Sequence, residues 1–296
     1  MYDIAGRTIF VTGAARGIGA GTARRLHAKG ANVALVGLEP ERLEALAAEL
    51  GERAAWFEAD VVDADALERA VEGTVERFGG IDVAIANAGI HFVGALATAP
   101  VEHVERTLEV NLMGVWRTDR AVIAEITKRQ GYLLNIASLA AASHAPLMGP
   151  YAASKAGVEA LTNTLRMETA PSGARIGCAY FGFIDTDIVR GSFAHPSTKA
   201  MEKLMPPLVR KPVPLSAAVD AIERGVERRA ARVWAPRYVG AALALRGILQ
   251  PLSERRAMGS RHLREGLELA QPEHGDLQAQ DAKLGVSVAE GPKVQA

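Results

Sequence analysis

Short runs of apolar, often β-branched residues alternate along this chain with longer stretches whose leucines and alanines recur at helical spacing. Residues 8–12 (TIFVT) predict a buried strand closed by a glycine-rich turn, and the stretch after it reads as a helix to about Lys29, stopped by Gly30. Residues 32–36 (NVALV) predict a second strand, and 41–50 (ERLEALAAEL) a helix carrying Leu43, Leu46 and Leu50 and stopped by Gly51. Further strands are expected at 54–59, 81–86, 132–136 and 175–180, with helices at about 63–78, 101–129 and 151–169; a helix over 216–230 precedes a last short strand at 232–234. Strands separated by helices imply a parallel sheet covered on both faces. Seven of them predict an α/β doubly wound sheet rather than an eight-stranded barrel.

The apolar run 238–245 (YVGAALAL) is closed by Arg237 and Arg246, far short of the roughly 20 residues of a membrane span. One domain over 1–236 is therefore expected, followed by a helical extension over 237–270. From about Gln271 the chain turns polar and rich in Gln, Asp, Gly and Pro, which predicts a loosely ordered tail over 271–296.

Composition narrows the function. Apolar residues are 49% of 296, enough for a sizeable core, and 34 basic residues balance 34 acidic ones, which argues against a nucleic-acid partner. The single cysteine, Cys178, excludes an internal disulfide framework and suits a reducing compartment. The seven histidines show no metal-ligand spacing, so no metal is expected. The start lacks a basic segment followed by an apolar core, so no signal peptide is read and the cytoplasm is the expected location.

Two motifs carry chemistry. Thr12-Gly13-Ala14-Ala15-Arg16-Gly17-Ile18-Gly19 lies between the first strand and the first helix, where glycines allow a tight turn and let backbone approach a pyrophosphate at a helix N-terminus. Tyr151 and Lys155 stand at i and i+4, one turn apart on a single helix face. An ammonium beside a phenol favours the phenolate, lowering its pKa from about 10 towards neutrality and fitting it for proton transfer. Ser138 closes the 132–136 strand at the carboxyl edge, where open α/β sheets bind ligands. Asn87-Ala88-Gly89 ends the 81–86 strand, and Asn111 sits within the following helix.

With TGAARGIG at 12–19, NAG at 87–89, Asn111, Ser138 and YAASK at 151–155, the chain resembles the classical short-chain dehydrogenases/reductases from about residue 3 to 235. The resemblance implies a one-domain Rossmann fold that moves a hydride between NAD(P)(H) and an alcohol or carbonyl carbon. It makes Tyr151 the general acid/base, Lys155 the group that lowers its pKa and binds the nicotinamide ribose, Ser138 the polariser of the substrate carbonyl, and Asn111 the holder of a proton-relay water. It assigns Gly13, Arg16, Gly17, Ile18 and Gly19 to the cofactor phosphates, Asp60 and Val61 to the adenine, Asn87 and Gly89 to the cofactor's border, and Ile184 and Thr186 to the carboxamide. It also implies a homodimer or homotetramer formed through helices 101–129 and 151–169.

The departures from the family pattern matter. Phe181 stands where the family usually has proline before Gly182. Gly37 occupies the place at the end of the second strand where NAD-preferring relatives carry Asp; it leaves room for a 2′-phosphate that Arg16 can pair, against which Glu39 would work if it turned inward. The balance favours NADP. Phe92, Leu139, Met148 and Phe183 are expected to line a mostly apolar substrate side, which predicts a hydrophobic secondary alcohol or ketone; His91 and His144 receive no role. Residues 188–212 read as a mobile apolar lid. The 237–270 extension, an apolar run flanked by arginines, suits weak contact with a membrane surface or packing on a partner subunit, and both stay open. The alternative to an oxidoreductase is a catalytically silent nucleotide-binding regulator, or a peripheral membrane protein, on the same fold.

Overall fold

The computed structural model describes residues 1–270; the tail expected over 271–296 lies outside the described residues. The chain builds a seven-stranded, all-parallel sheet in the order β3-β2-β1-β4-β5-β6-β7. The strands are β1 (Thr8–Thr12), β2 (Asn32–Gly37), β3 (Ala54–Glu58), β4 (Val83–Ala86), β5 (Tyr132–Ile136), β6 (Arg175–Phe181) and β7 (Arg232–Ala235). The expected strands therefore all form, within a residue or two of their predicted bounds. The central ones, β1, β4 and β5, are buried at every position, whereas β3, at one edge, is only half-buried. Continuous apolar runs are what a sheet covered on both faces requires.

Helices α1 (Gly17–Ala28), α2 (Pro40–Leu50) and α10 (Leu215–Arg228) pack their apolar faces on one side, with Leu26, Leu43 and Ile222 excluded from solvent. Helix α3 (Ala64–Phe78), capped by the Asp63 carboxylate on the Ala66 amide, covers the other side. It shares that side with α5 (Gly114–Lys128) and α6 (Gly149–Thr169). The order in which strands are added reverses between β1 and β4, and outside the carboxyl ends of such a switch point open α/β sheets form a crevice.

The helix expected over 101–129 is interrupted. Helix α4 (Val101–Leu108) runs into a π-helical turn at Glu109–Met113 before α5 resumes. Asn111 lies in that turn, fully buried. Its Oδ1 accepts from the Ile90 amide at 2.8 Å, and its Nδ2 donates to the Ile90 carbonyl at 2.9 Å and to Ser154 Oγ at 3.2 Å. The turn holds the amide against a loop whose backbone has no partner in the sheet, the kind of site where π turns occur.

Beyond β6 the chain forms three short helices, α7 (Asp187–Ala194), α8 (Pro196–Met201) and α9 (Pro207–Arg210). After β7 come α11 (Arg237–Ala244), α12 (Arg246–Met258) and α13 (Arg261–Glu268). Helix α12 leaves Ile248, Leu252 and Met258 largely exposed. Helix α13 folds back on α8, burying Gly266 against Met201 and Ser197. Leu263 and Ala270 join Met201, Leu204, Val93 and Leu147 in one apolar cluster. No helix among the described residues is long and apolar enough to cross a membrane.

Candidate active site

A cleft of about 1350 Å³ runs along the carboxyl edge of the sheet, from Gly37, Leu38 and Glu39 at one end to Ser138, Tyr151 and Lys155 at the other. Gly13, Arg16, Gly17, Ile18, Asp60, Val61, Asn87, Gly89, Ile184 and Thr186 line it between. Gly19 lies beneath the turn rather than on the cleft surface, because a Cβ there would come 2.2 Å from the Gly13 carbonyl oxygen. Gly17, at φ +56°, needs the left-handed backbone, and a Cβ there would meet nothing nearer than Thr186 Cγ2 at 3.8 Å. The floor of the turn is open to a ligand.

No side chain caps the start of α1 and its first turn holds no acidic residue, so its leading amides face the cleft with the helix dipole behind them. Asn87 ties the turn to the end of β4: its Nδ2 donates to the Thr12 and Gly13 carbonyls at 3.0 and 3.2 Å, and its own amide donates to Thr12 Oγ1 at 3.0 Å. These residues and a cleft of this volume fit an extended dinucleotide.

Asp60 is more occupied than a bare carboxylate: Arg106 of α4 donates to its Oδ2 at 3.0 Å and the Val62 amide to its Oδ1 at 3.1 Å. At the far end, Glu39 begins α2 with its carboxylate 3.4 Å from Arg16 Nε and 3.6 Å from Arg42 Nη1. A Cβ on Gly37 would meet nothing closer than 3.8 Å.

At the sheet end, Lys155 is buried and donates to the Ile136 carbonyl at 2.8 Å, with its ammonium 5.7 Å from the centre of the Tyr151 ring. Burial pushes Lys155 down to about 8. Ser138 accepts from the Ala140 amide at 3.1 Å and donates to the Phe181 carbonyl at 3.3 Å, and its hydroxyl lies beside the Tyr151 phenol. Burial raises the Tyr151 phenol above its ordinary value, and the Ser138 hydroxyl opposes it. The net displacement runs against the lowering expected from Lys155, because a phenolate loses more by dehydration than it regains here.

The four expected substrate-side residues are not among those that line the cleft, although Leu139 and Phe183 adjoin Ser138 and Gly182, which do. Phe92 is buried and stacks on His103 at 4.8 Å; Phe183 lies edge-on to Phe193 at 4.9 Å; Leu139 packs near Tyr238 and Leu243; Met148 precedes α6. Instead Ile188 and Val189 of α7 reach the cleft.

Sequence reasoning missed several contributors. Thr12 anchors two amides of the 87–88 turn, Arg106 holds Asp60, and His91 lies edge-on to Tyr151 with ring centres 4.7 Å apart. A lone histidine or threonine carries no spacing signal; only adjacency in space reveals these. No cluster of metal-ligating side chains exists among the described residues.

Known proteins align with this geometry. The family model described as "short chain dehydrogenase" matches residues 7–197. The 3beta-hydroxysteroid dehydrogenase 1 of Eggerthella lenta is 36% identical over 214 residues, covering 70% of this chain and 82% of that protein. A crystal structure of a short chain dehydrogenase/reductase from Burkholderia phymatum in complex with NAD superposes with a TM-score of 0.75 at 22% identity, over 85% of this chain and 96% of that one. An alcohol dehydrogenase from the archaeon Thermococcus sibiricus, complexed with 5-hydroxy-NADP, gives 0.67 at 29% identity, over 77% and 95%.

Proposed function

The chain belongs to the short-chain dehydrogenase family, and on that premise we propose that it oxidises a hydrophobic secondary alcohol or reduces the matching ketone, with a nicotinamide dinucleotide as partner and Tyr151 as general acid/base. The observation that carries this reading is the meeting of Ser138, Tyr151 and Lys155 at one end of a cleft whose other end is the glycine turn. When bound there, the dinucleotide supplies or accepts the hydride. Gly13, Arg16, Gly17, Ile18 and the start of α1 would hold its phosphates, with Gly19 supporting the turn from beneath; Asp60 and Val61 would border the adenine, Asn87 and Gly89 the edge of the cofactor, and Ile184 and Thr186 the carboxamide.

The chain's own part is proton handling and orientation. Ser138 and Tyr151 bring two hydroxyls to one end of the cleft; once Ser138 turns its proton from the Phe181 carbonyl to a substrate oxygen, charge developing there meets two donors. Tyr151 then passes or takes the proton. Lys155, fixed by the Ile136 carbonyl, offers the ribose its remaining donors and favours the phenolate as substrate binds. Asn111 pins the Ile90 backbone on both sides and keeps the loop beside Lys155 in place for the relay water.

The open space at Gly37, with Arg16 lining the same end of the cleft, supports NADP(H). The similarity to a hydroxysteroid dehydrogenase supports a hydrophobic alcohol. A silent nucleotide-binding role would have no need of Ser138 and Tyr151 meeting a buried Lys155 at the cleft's end. The test is a panel of hydrophobic alcohols and ketones with NADH and NADPH, followed by nicotinamide absorbance. Turnover that favours apolar ring alcohols supports the proposal; binding of either cofactor without turnover of any panel member would overturn it.

A further inference from the structure

His91 follows the Asn87-Ala88-Gly89-Ile90 turn and is buried, with 7% of its surface exposed. One edge of its environment is the Tyr151 ring, 4.7 Å away and nearly perpendicular. On another side its Nδ1 lies 2.7 Å from Ser192 Oγ, on α7. Ser192 has a single hydroxyl proton, and its 2.9 Å bond to the Ile188 carbonyl, which can only accept, uses that proton. His91 is therefore the donor to Ser192, so Nδ1 carries a proton; no acceptor among the described residues faces Nε2, which carries none, and the ring is neutral. Nε2 is left as a buried acceptor with no partner among the described residues. Burial agrees with the neutral form, pushing the imidazole down to about 4.

A phenylalanine of similar shape would fill this space without an unmatched nitrogen, so packing alone gives no reason for an imidazole. What the imidazole adds is one directed bond, from the wall that carries Tyr151 to the helix whose Ile188 and Val189 reach the cleft. We propose that His91 is a positioning residue: its bond to Ser192 latches α7 over the cleft and holds the Tyr151 ring from the side, so that closing α7 and aligning the phenol are one event. The second half of this rests on the acid/base role of Tyr151; the latch itself does not.

The test separates the two. The full-length chain, without added cofactor, is digested with limiting trypsin, and cleavage after Arg190 on α7, whose side chain is 61% exposed, is timed. Loss of one neutral hydrogen bond predicts cleavage about threefold to tenfold faster in Ser192→Ala and in His91→Phe. The double variant should be no faster than either single one, and His91→Asn, whose amide can donate to Ser192, should return close to the wild type. Unchanged cleavage in Ser192→Ala, or multiplied effects in the double variant, would overturn the latch.

The positioning half is read with cyclohexanone as probe ketone and NADPH. Ser192→Ala and His91→Phe should each lower kcat/KM about threefold to tenfold while the NADPH dissociation constant and melting temperature hold. Equal losses in cofactor affinity would place the pair at the nucleotide and overturn the positioning role. Tyr151→Phe serves as the separate control. If that variant kept the wild-type rate, the acid/base reading would fail while the trypsin result on the latch still stood.

Discussion

Tyr151, Ser138 and Lys155 stand within one helix start and one strand end, so chain proximity made them legible before their geometry was known. The sequence could not show that burial opposes the lysine's effect on the phenol. Removing the hydroxyl in Tyr151→Phe should therefore abolish turnover and leave cofactor affinity nearly intact. Lys155→Ala should impair both, since it also strips the Ile136 carbonyl of its donor. Steady-state rates with fluorescence titration of the cofactor check both; substantial turnover by the Phe variant would refute the acid/base assignment. Cofactor choice lies at the same scale. Glu39 stands at the start of α2, partly exposed, with its carboxylate near both Arg16 and Arg42. Gly37→Asp should shift preference towards NAD(H), by about 1–3 kcal/mol if one charged hydrogen bond is at stake. Arg16→Ala should weaken NADPH binding and leave NADH nearly untouched. Tighter NADH than NADPH binding by the wild type, unaltered in Arg16→Ala, would reverse the assignment to NADP(H).

Most elements were readable because parallel strands buried on both faces must be unbroken apolar runs, and the helices between them must carry one apolar stripe. The features that escaped lack such a signature. The π turn at Glu109–Met113 costs nothing in hydrophobic periodicity, because the extra residue is absorbed where Asn111 turns inward to the Ile90 backbone. The packing of α13 on α8 was equally hidden: α13 has a narrow apolar face, and its partner lies some 60 residues earlier in the chain. That contact depends on a glycine. A Cβ at Gly266 would stand 2.5 Å from two Met201 atoms and 3.1 Å from the Ser197 carbonyl. Gly266→Leu should push α13 away, at a cost of about 1–3 kcal/mol for overpacking. Amide exchange over 261–268 and 196–201 should accelerate, and KM for bulky ketones should rise far more than the cofactor dissociation constant. Unchanged exchange in that variant would mean that Met201 simply swings aside and the two helices stay joined.

Stability of the whole molecule should carry the mark of one buried acid that serves no part of the proposed chemistry. Asp119 of α5 is 4% exposed, between the sheet and α6. Asn135 of β5 donates to its Oδ2 at 2.7 Å and to Thr162 Oγ1 at 3.0 Å, whereas Asp119 Oδ1 has no partner among the described residues. Burial pushes the carboxyl up to about 8, with the Asn135 bond opposing it only in part. The folded protein therefore holds a proton at this site at neutral pH, while the unfolded chain, titrating near the ordinary value, does not. Where the folded state binds one more proton than the unfolded state, stability falls as pH rises. The contribution is complete below pH about 4 and is lost progressively up to about pH 8. Within that window its slope is about 1.4 kcal/mol per pH unit, or about 2–4 °C in Tm for a protein of this size. Asp119→Asn keeps the shape and removes the proton. Its Tm should fall less steeply than the wild type's between pH 5 and 7.5, and the two curves should run parallel above about pH 9. Thermal unfolding of both proteins across that range decides it: parallel curves throughout would mean that Asp119 is ionised in the folded state at neutral pH and that a donor reaches its second oxygen.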